Sequence, residues 1–157
     1  TRDFSRAVRF AAKSVPGICI GTDVIVGFPG ETERHFRTCA AEIEALPLAY
    51  LHVFRYSPRP GTPASLLQNR PDRYAAAERH EHLRALSQTG ALAFAQSQVG
   101  SRLQVLTEDP NADGVREGWS DNYIRTTIQG DDPGRNRLIE VRALRRLGPR
   151  HLLARPE

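Results

Sequence analysis

The segment YLHVFRYSPRPGTPA, residues 50–64, constrains the fold of this chain more than any other segment. It begins with aromatic and β-branched side chains that predict a strand, and the prolines that follow cannot continue one. Proline fixes its own φ and restricts the residue before it, so Arg59, between Pro58 and Pro60, loses little backbone entropy when it meets a ligand. The sequence predicts a strand followed by a conformationally restricted loop. The alternative for the loop is an ordinary surface turn.

A second segment, GTDVIVGFPGET at residues 21–32, has the same organisation. The nearly continuous apolar run over residues 18–28 predicts a strand buried on both faces, and it ends in a Gly-Pro-Gly turn. Apolar residues at helical spacing over 33–45 predict a helix that leads back to the first strand described. Strand, helix and strand in this order predict a parallel α/β sheet or barrel, in which the loops after both strands share one face.

Two carboxylates in this region call for partners. Asp23 interrupts an apolar strand, and a buried carboxylate is costly unless it is paired, so either a protein group or a ligand is expected beside it. Arg55, just before the proline loop, is our hypothesis for that protein group. Glu31 follows the turn, and capping of the next helix is a better expectation for it than ligand binding.

Together, GTDVIVGFPGET and LHVFRYSPRPGTPA resemble the closing half of the radical S-adenosylmethionine domain of the methylthiotransferases. These enzymes insert a methylthio group into modified tRNA adenosines or into a ribosomal protein. From about Val99 the chain resembles the TRAM domain that ends members of this family. The resemblance implies an α/β fold, a partial (β/α) barrel with a long linking helix in residues 1–98. A small all-β, OB-like antiparallel TRAM barrel that binds RNA would follow in residues 99–157.

The resemblance also implies cofactors. Members of the family use S-adenosylmethionine and two 4Fe-4S clusters, whose ligands would lie upstream of this fragment. Cys19 and Cys39 do not form the three-cysteine cluster motif, and both are expected to be core residues. We therefore expect no catalytic and no metal-binding residue here, and no activity from this fragment alone.

The same resemblance assigns binding roles to residues of the two loops. Those expected to bind the cofactor are Asp23, Gly27, Gly30, Tyr56 and Ser57, and those expected to bind the substrate are Arg55, Arg59 and Thr62.

Within the family, ALPLAYLHVFRYSPRPGTPA and DNYIR look most like the branch that modifies N6-threonylcarbamoyladenosine next to the tRNA anticodon. The carboxylate of that nucleoside suits bidentate binding by an arginine, whereas an isopentenyl group would need an apolar wall. The alternatives are a methylthiotransferase for isopentenyl-adenosine tRNA or a ribosomal protein, and a non-catalytic TRAM module that only binds RNA.

The remainder of the chain predicts a long helix over residues 69–100, opened by Pro71, and then five short strands. The turns between the strands contain Gly, Asp or Pro, as expected for a small antiparallel barrel. The expected strands are Leu103–Thr107, Val115–Trp119, Tyr123–Gln129, Leu138–Leu144 and Leu152–Arg155.

Charge is segregated in this last part of the chain. The net charge is +4, yet residues 107–132 carry seven acidic and two basic side chains, whereas residues 133–157 carry seven arginines and two acids. Cations and aromatic side chains alternate around the second turn, which suits base stacking and edge recognition in RNA. The residues expected to bind RNA are Arg116, Trp119, Asn122, Tyr123 and Arg125, and the expected partner is the tRNA anticodon arm. A solvated barrel surface is the alternative.

The composition is that of a globular protein and predicts no membrane-spanning segment. The chain is 39% hydrophobic and 25% charged, and it has neither a long apolar run nor a signal-peptide pattern. We expect a cytoplasmic protein with no membrane partner, and a monomer.

Overall fold

The computed structural model describes residues 2–157, which divide into two compact units. One unit contains the chain up to Ser14 together with Ile20–Gly90, and the other contains Val15–Cys19 and Ala91–Glu157. In chain order the elements are α1 (Arg2–Ser14), β1 (Gly21–Val26), α2 (Glu33–Glu44), β2 (Tyr50–Arg55), α3 (Pro63–Leu66), α4 (Arg73–Ser97), β3 (Arg102–Thr107), β4 (Glu117–Ser120), β5 (Arg125–Ile128), β6 (Leu138–Gly148) and β7 (His151–Pro156). Among these residues, no helix is long and apolar enough to cross a membrane.

The first unit contains a two-stranded parallel sheet, as the strand, helix and strand pattern predicted. β1 and β2 run side by side with Gly21 opposite Tyr50 and Val26 opposite Arg55. One face of this sheet packs on α1, α2 and the first part of α4 through a shared apolar cluster that includes Val26, Leu51 and Leu83. The sheet is consistent with part of an α/β barrel, because parallel strands need a crossover helix of this kind.

The expectation that the first strand is buried on both faces is wrong for the residues described. Side chains alternate across a strand, and Asp23, Ile25, His52 and Phe54 all share the face that carries no core. Ile25 is 53% exposed and Phe54 is 51% exposed, although both are large and apolar. The apolar run reflects a second apolar face of the sheet, which no part of residues 2–157 covers.

The long helix begins later than its sequence pattern indicated. The Asp72 carboxylate accepts hydrogen bonds from the amides of Tyr74 and Ala75, at 2.7 and 3.1 Å, so the helix starts after Asp72 and Pro71 lies outside it. Gly90, in the helix interior, allows close approach to the chain before β2. A Cβ placed at Gly90 would lie 2.6 Å from the carbonyl oxygen of Leu48.

The second unit is a closed barrel of five strands in the order β3-β4-β5-β7-β6, with β6 paired back to β3. All five predicted strands are present, but the barrel is mixed and not antiparallel as expected, because β5 and β7 run parallel. β5 and β7 are separated in the sequence by β6, so no local sequence pattern predicts that they pair.

Alternating burial builds the core of this barrel. Along β3, Leu103, Val105 and Thr107 point inward and are buried, while Gln104 and Leu106 point outward. Leu103 and Val105 join an apolar cluster with residues of the other strands and with Ala95 of α4. The inward Thr107 hydroxyl accepts a hydrogen bond from the Arg137 amide at 2.9 Å and lies 2.8 Å from the carbonyl oxygen of Gly134, so it fastens the β5–β6 connection to β3.

Candidate functional site

The turn after β1 is held by Glu31. Its carboxylate accepts a hydrogen bond from the Gly27 amide at 2.7 Å and another from the Arg79 guanidinium at 2.8 Å. The expectation that Glu31 caps the next helix is wrong, because Thr32 does so by accepting a hydrogen bond from the amide of His35 at 3.2 Å. Glu31 closes the turn on itself and joins it to α4.

Both glycines expected at the cofactor have left-handed backbone conformations. Gly27 has φ of 77° and Gly30 has φ of 84°, values that other residues adopt only with strain. The Gly30 amide donates to the carbonyl oxygen of Asn69 at 2.9 Å, so the segment before α4 lies against this turn. Gly30 itself is exposed and a Cβ there would meet nothing within 4 Å, which leaves open space beside the turn.

Tyr56 lies next to this turn, at the end of β2. Its amide donates to the carbonyl oxygen of Val26 at 2.8 Å, and its ring packs edge-on against Phe28 with the ring centroids 5.1 Å apart. The Arg70 guanidinium lies 5.5 Å from the centre of the Tyr56 ring. The Tyr56 hydroxyl oxygen is buried and has no hydrogen-bond partner within residues 2–157. A buried hydroxyl without a partner is costly, so this atom is suited to bonding a ligand.

The hypothesis that Arg55 pairs with Asp23 is wrong. Asp23 lies opposite His52 in the register, and Arg55 lies opposite Val26, three positions further along β1. Because side chains alternate across a strand, Asp23 and Arg55 point to opposite faces of the sheet. Both are exposed, so Asp23 does not carry the burial cost that called for an arginine.

The proline loop presents its polar residues to solvent. Ser57 and Arg59 are exposed, and Thr62 is half-buried. The Thr62 amide and hydroxyl both donate to the carbonyl oxygen of Arg59, at 3.2 and 2.8 Å, which closes a tight turn before α3. This turn fixes the carbonyl group of Arg59, and the residue itself is exposed.

The two cysteines are free thiols in separate units. Cys19 lies in the segment before β1 and not in the strand as expected, and burial raises the pKa of its thiol. Burial, followed by the negative charge of Glu31, raises the pKa of the Cys39 thiol. A raised pKa disfavours the thiolate, which is the form that binds metals. Among the residues that the structure describes, no group of three His, Cys, Asp or Glu side chains is placed to hold a metal ion.

In the barrel, Arg116 is committed to internal contacts. Its guanidinium meets Asp132 through two hydrogen bonds of 2.7 Å and donates to the carbonyl oxygen of Glu108 at 2.6 Å. The Arg116 guanidinium, and after it the Gly134 amide, lower the pKa of Asp132 to about 2. Three of the five N–H donors of Arg116 are thus used inside the barrel and its side chain is only 10% exposed, so little of the guanidinium is open to an RNA phosphate.

Arg125 is held in the same way. It forms ion pairs with Glu117, at 2.9 Å, and with Glu108. Burial favours the protonated form of Glu117, but hydrogen bonds from Arg125 and Thr127 outweigh it and lower the Glu117 pKa. The Arg125 guanidinium also lies 5.5 Å from the centre of the Trp119 ring. It therefore orients Trp119 as well as neutralising two carboxylates.

The Asn122 amide is used within the second unit. Its nitrogen donates to the Gln98 side-chain oxygen at 3.0 Å and to the carbonyl oxygen of Gly17 at 3.2 Å, and its oxygen accepts from the Ser120 hydroxyl at 2.7 Å. These bonds connect the β4–β5 turn to the end of α4 and to the segment before Ile18. In this conformation Asn122 supports the barrel, and little of its amide is left for reading a base.

Trp119 and Tyr123 are both available to a partner, since 43% and 67% of their surfaces are exposed. Trp119 stands on the outward face of β4 opposite Leu106, and Leu106 in turn lies opposite Leu138 of β6. Leu106 is 48% exposed and Leu138 is 66% exposed. We call these three outward side chains, Leu106, Trp119 and Leu138, together with Tyr123, the outer apolar face.

The outer apolar face lines a concavity of about 530 Å³ whose edge includes Gln104, Asp121 and Arg150. The Arg150 guanidinium donates to the carbonyl oxygen of Tyr123 at 2.7 Å, which joins the two turns at this edge. Sequence reasoning missed Leu106, Leu138 and Arg150. For the two leucines the signal was an apolar residue at the outward position of paired strands, which is visible only when the register is known.

Comparison with curated proteins gives the relationship of the chain. It is 34% identical over 137 residues to the threonylcarbamoyladenosine tRNA methylthiotransferase of Bacillus subtilis, a match that covers 85% of this chain and 30% of that protein. With the enzyme of the same name from Thermotoga maritima it shares 32% identity over 142 residues, which covers 90% of this chain and 33% of that protein. With the tRNA-2-methylthio-N(6)-dimethylallyladenosine synthase of Symbiobacterium thermophilum it shares 34% identity over 149 residues, which covers 92% and 31%.

The chain is therefore a homologue of the tRNA methylthiotransferases over most of its length, and the predicted family relationship is confirmed. The chain spans about a third of the length of these curated relatives. No family model matches it. The assignment of the small barrel to the TRAM domain consequently stays a prediction.

Proposed function

We propose that this chain is the closing part of a radical S-adenosylmethionine methylthiotransferase that adds a 2-methylthio group to N6-threonylcarbamoyladenosine in the tRNA anticodon arm. In this proposal residues 1–98 complete a partial (β/α) barrel, and residues 99–157 form an OB-like TRAM domain that grips the RNA. The homology supports the enzyme class. Both predicted loops lie in the first unit, which supports a cofactor site there and RNA binding by the second unit.

The single observation that carries the proposal is the arrangement at the ends of β1 and β2. Because the strands are parallel and in register, the Gly27–Glu31 turn and the Tyr56 loop emerge at the same edge of the sheet, where ligands of α/β folds bind. Two left-handed glycines and the buried Tyr56 hydroxyl offer this edge a close backbone approach and an unused hydrogen-bonding group.

These features fit S-adenosylmethionine, which presents hydroxyl, amino and ring nitrogen groups. Gly30 would admit the nucleoside against its exposed backbone, Gly27 would let the turn reach it while packed on α4, and Tyr56 would bond one of its polar atoms. Asp23 and Ser57 complete the set of proposed cofactor contacts. The cofactor, if held here beside an iron–sulfur cluster of the parent enzyme, would supply the radical chemistry of the reaction. The residues of this chain bind and orient; none of them transfers the methylthio group.

The exposed face of the sheet supports placement within a larger barrel. Ile25 and Phe54 lie half-exposed on the face that carries no core, together with Asp23. An apolar face of this kind on a soluble protein marks a surface that another part of the molecule covers. In the proposal, the remaining strands of the parent enzyme close over this face, and they bring the two 4Fe-4S clusters.

The choice of modified nucleoside is proposed from Arg59. Its backbone is fixed by the flanking prolines and by the Thr62 bonds, and its side chain is exposed. An ordered guanidinium binds a carboxylate bidentately, and threonylcarbamoyladenosine carries a carboxylate that the isopentenyl nucleoside lacks. Arg55 and Thr62 are the other proposed substrate contacts.

RNA binding is proposed for the outer apolar face. Exposed aromatic rings serve as stacking platforms for unpaired bases, and Trp119 and Tyr123 supply two of them. Arg116, Asn122 and Arg125 act behind this face, since their hydrogen bonds hold the turns that present it.

The experiment that tests the proposed function is mass spectrometry of tRNA nucleosides from cells that lack the gene encoding this chain. Loss of 2-methylthio-N6-threonylcarbamoyladenosine alone, restored by the intact gene, is the expected result. Loss of the methylthio group from isopentenyl-adenosine instead would identify isopentenyl-adenosine tRNA as the substrate. An unchanged nucleoside profile would refute the tRNA assignment and favour a protein substrate or a binding module.

A further inference from the structure

Arg79 is the most deeply buried charged side chain in the first unit. Its side chain is 8% exposed, and it reaches Glu31, whose side chain is 14% exposed, across 48 positions of sequence. A second contact joins Arg79 to Glu33 at 3.4 Å, at the start of α2. The same guanidinium lies 5.4 Å from the centre of the Phe36 ring. One side chain of α4 thus touches the turn, the helix start and the core of α2.

The contacts of Glu31 make this pairing more than a surface ion pair. The Glu31 carboxylate oxygen that accepts the hydrogen bond from Arg79 also accepts one from the Gly27 amide. Exposed ion pairs contribute little to stability, whereas a buried charge that loses its partner is strongly unfavourable. Without Arg79, the Glu31 carboxylate is expected to turn to solvent, and Gly27 then loses its acceptor.

Packing fixes the same turn from the same helix. A Cβ at Gly27 would lie 3.1 Å from the Ala76 side chain, so the turn backbone rests directly on α4 one helical turn before Arg79. The Gly30 amide bonds to Asn69, just ahead of the helix. Three contacts spaced along one stretch of chain therefore determine the conformation of the turn.

We infer that Arg79 is a positioning residue, which through Glu31 holds the Gly27–Glu31 turn in the conformation that receives the cofactor. The identity of the ligand as the cofactor rests on the proposed function. The role of Arg79 in holding the turn does not depend on it. Arg79 need not touch the cofactor, because its guanidinium faces Glu31, Glu33 and Phe36.

Amide hydrogen exchange in the 157-residue chain tests the mechanical role without any cofactor. In Arg79→Gln, exchange at the Gly27 and Gly30 amides should accelerate about tenfold or more, because local opening costs less than global unfolding. The Leu51 amide, which bonds to the Ser87 hydroxyl at 2.8 Å, is the internal control and should keep its rate. Arg84→Gln is the matched control variant, since Arg84 lies on the same helix in an exposed pair with Glu81.

Arg79→Lys is the second variant, and it protects the test against loss of the fold. Lysine keeps the positive charge but cannot hold Glu31 and Glu33 in the fixed geometry of a guanidinium. Gly27 exchange should lie between those of the parent chain and Arg79→Gln, with Leu51 unchanged. Equal protection of Gly27 in all variants, or acceleration of Gly27 and Leu51 together, would overturn the positioning role.

Kinetics of the complete, cluster-loaded enzyme separate the two proposals. If both hold, Arg79→Lys raises KM for S-adenosylmethionine about tenfold with a smaller effect on kcat, as expected for lost ground-state binding. Faster Gly27 exchange with unchanged KM would keep Arg79 as the residue that positions the turn, and would refute the assignment of the turn to the cofactor.

Discussion

Arg116 and Asp132 face each other through two parallel hydrogen bonds of 2.7 Å, one from Nε and one from a terminal nitrogen of the guanidinium. The pair joins the start of β4 to the loop after β5. Since Arg116 also donates to the Glu108 carbonyl oxygen, the two ends of the β3–β4 connection and the β5–β6 connection meet at one guanidinium. Arg116, which the sequence predicts to contact RNA, thus braces the end of the barrel, and the RNA contact stays a prediction.

The brace predicts a pH dependence for the stability of the barrel. The Asp132 pKa is about 2 in the folded chain against an ordinary value of 3.8, so folding favours the ionised carboxylate. Its contribution is complete above the ordinary pKa and is lost as pH falls from there toward 2. Asp132→Asn should lower the free energy of unfolding at pH 7, and the difference from the parent chain should shrink below pH 4.

Urea unfolding at a series of pH values measures this difference. Asp131→Asn removes the neighbouring exposed carboxylate and is the control for the change in net charge. If Asp132→Asn and Asp131→Asn follow the parent chain in parallel at every pH, the paired carboxylate does not contribute as described.

Gly90 gives a prediction that reverses the usual rule for helices. Glycine in a helix interior is less favourable than alanine by about 1 kcal/mol, so Gly→Ala ordinarily stabilises. Here the added Cβ would lie 2.6 Å from the backbone carbonyl oxygen of Leu48, which cannot rotate away. Gly90→Ala should therefore destabilise the first unit by about 1–3 kcal/mol, the usual cost of overpacking.

The measurement is the urea midpoint of the first unit, followed by the fluorescence of a probe attached to it. Gln88→Ala, at an exposed position on the same helix, should change stability by less than about 0.5 kcal/mol. A higher midpoint for Gly90→Ala would mean that helix propensity outweighs the close approach.

Local pattern predicted the elements well. The helix over 33–44 and all seven strands follow from apolar spacing and from the prolines and glycines between segments. These signals depend on residues only a few positions apart, and the structure contains the elements that they predict. The start of α4 was placed four residues too early, at 69 instead of Arg73, because the Asp72 carboxylate accepts the first amides of the helix and so sets its beginning.

Roles that depend on distant partners were not predictable. Glu31 was expected to cap a helix, yet its partner Arg79 lies 48 positions away. The parallel pairing of β5 with β7 and the register that places Arg55 away from Asp23 are likewise decided by the whole sheet. Of the residues predicted to bind RNA, the cations and the amide are committed internally, and the aromatic pair is exposed. Sequence chemistry could not separate the residues of this turn that are bonded internally from those that are exposed, because only the fold does so, and RNA binding at this turn stays a prediction.

Arg59 predicts substrate selectivity. In the complete enzyme, Arg59→Ala should lower kcat/KM for threonylcarbamoyl-modified tRNA by about tenfold to a hundredfold, in line with 1.5–3 kcal/mol for a hydrogen bond to a charged group. Activity on isopentenyl-modified tRNA, if present, should change far less, because that nucleoside has no carboxylate. Arg34→Ala, at an exposed position of α2, is the control. Equal losses on both substrates would place Arg59 in general RNA binding.

Trp119 predicts how the barrel holds RNA. If bases stack on the outer apolar face, Trp119→Ala should weaken binding of an anticodon stem-loop by about 5- to 150-fold, since each stacked base contributes about 1–3 kcal/mol. Stability should fall little, because the ring is 43% exposed. Leu147→Ala is the matched control, as Leu147 is a comparably exposed apolar residue that does not belong to this face. Fluorescence anisotropy at fixed salt measures both, and salt titration separates stacking from phosphate contacts. Unchanged affinity for Trp119→Ala, with an undiminished salt slope, would transfer RNA binding from the outer apolar face to the arginines of residues 133–157.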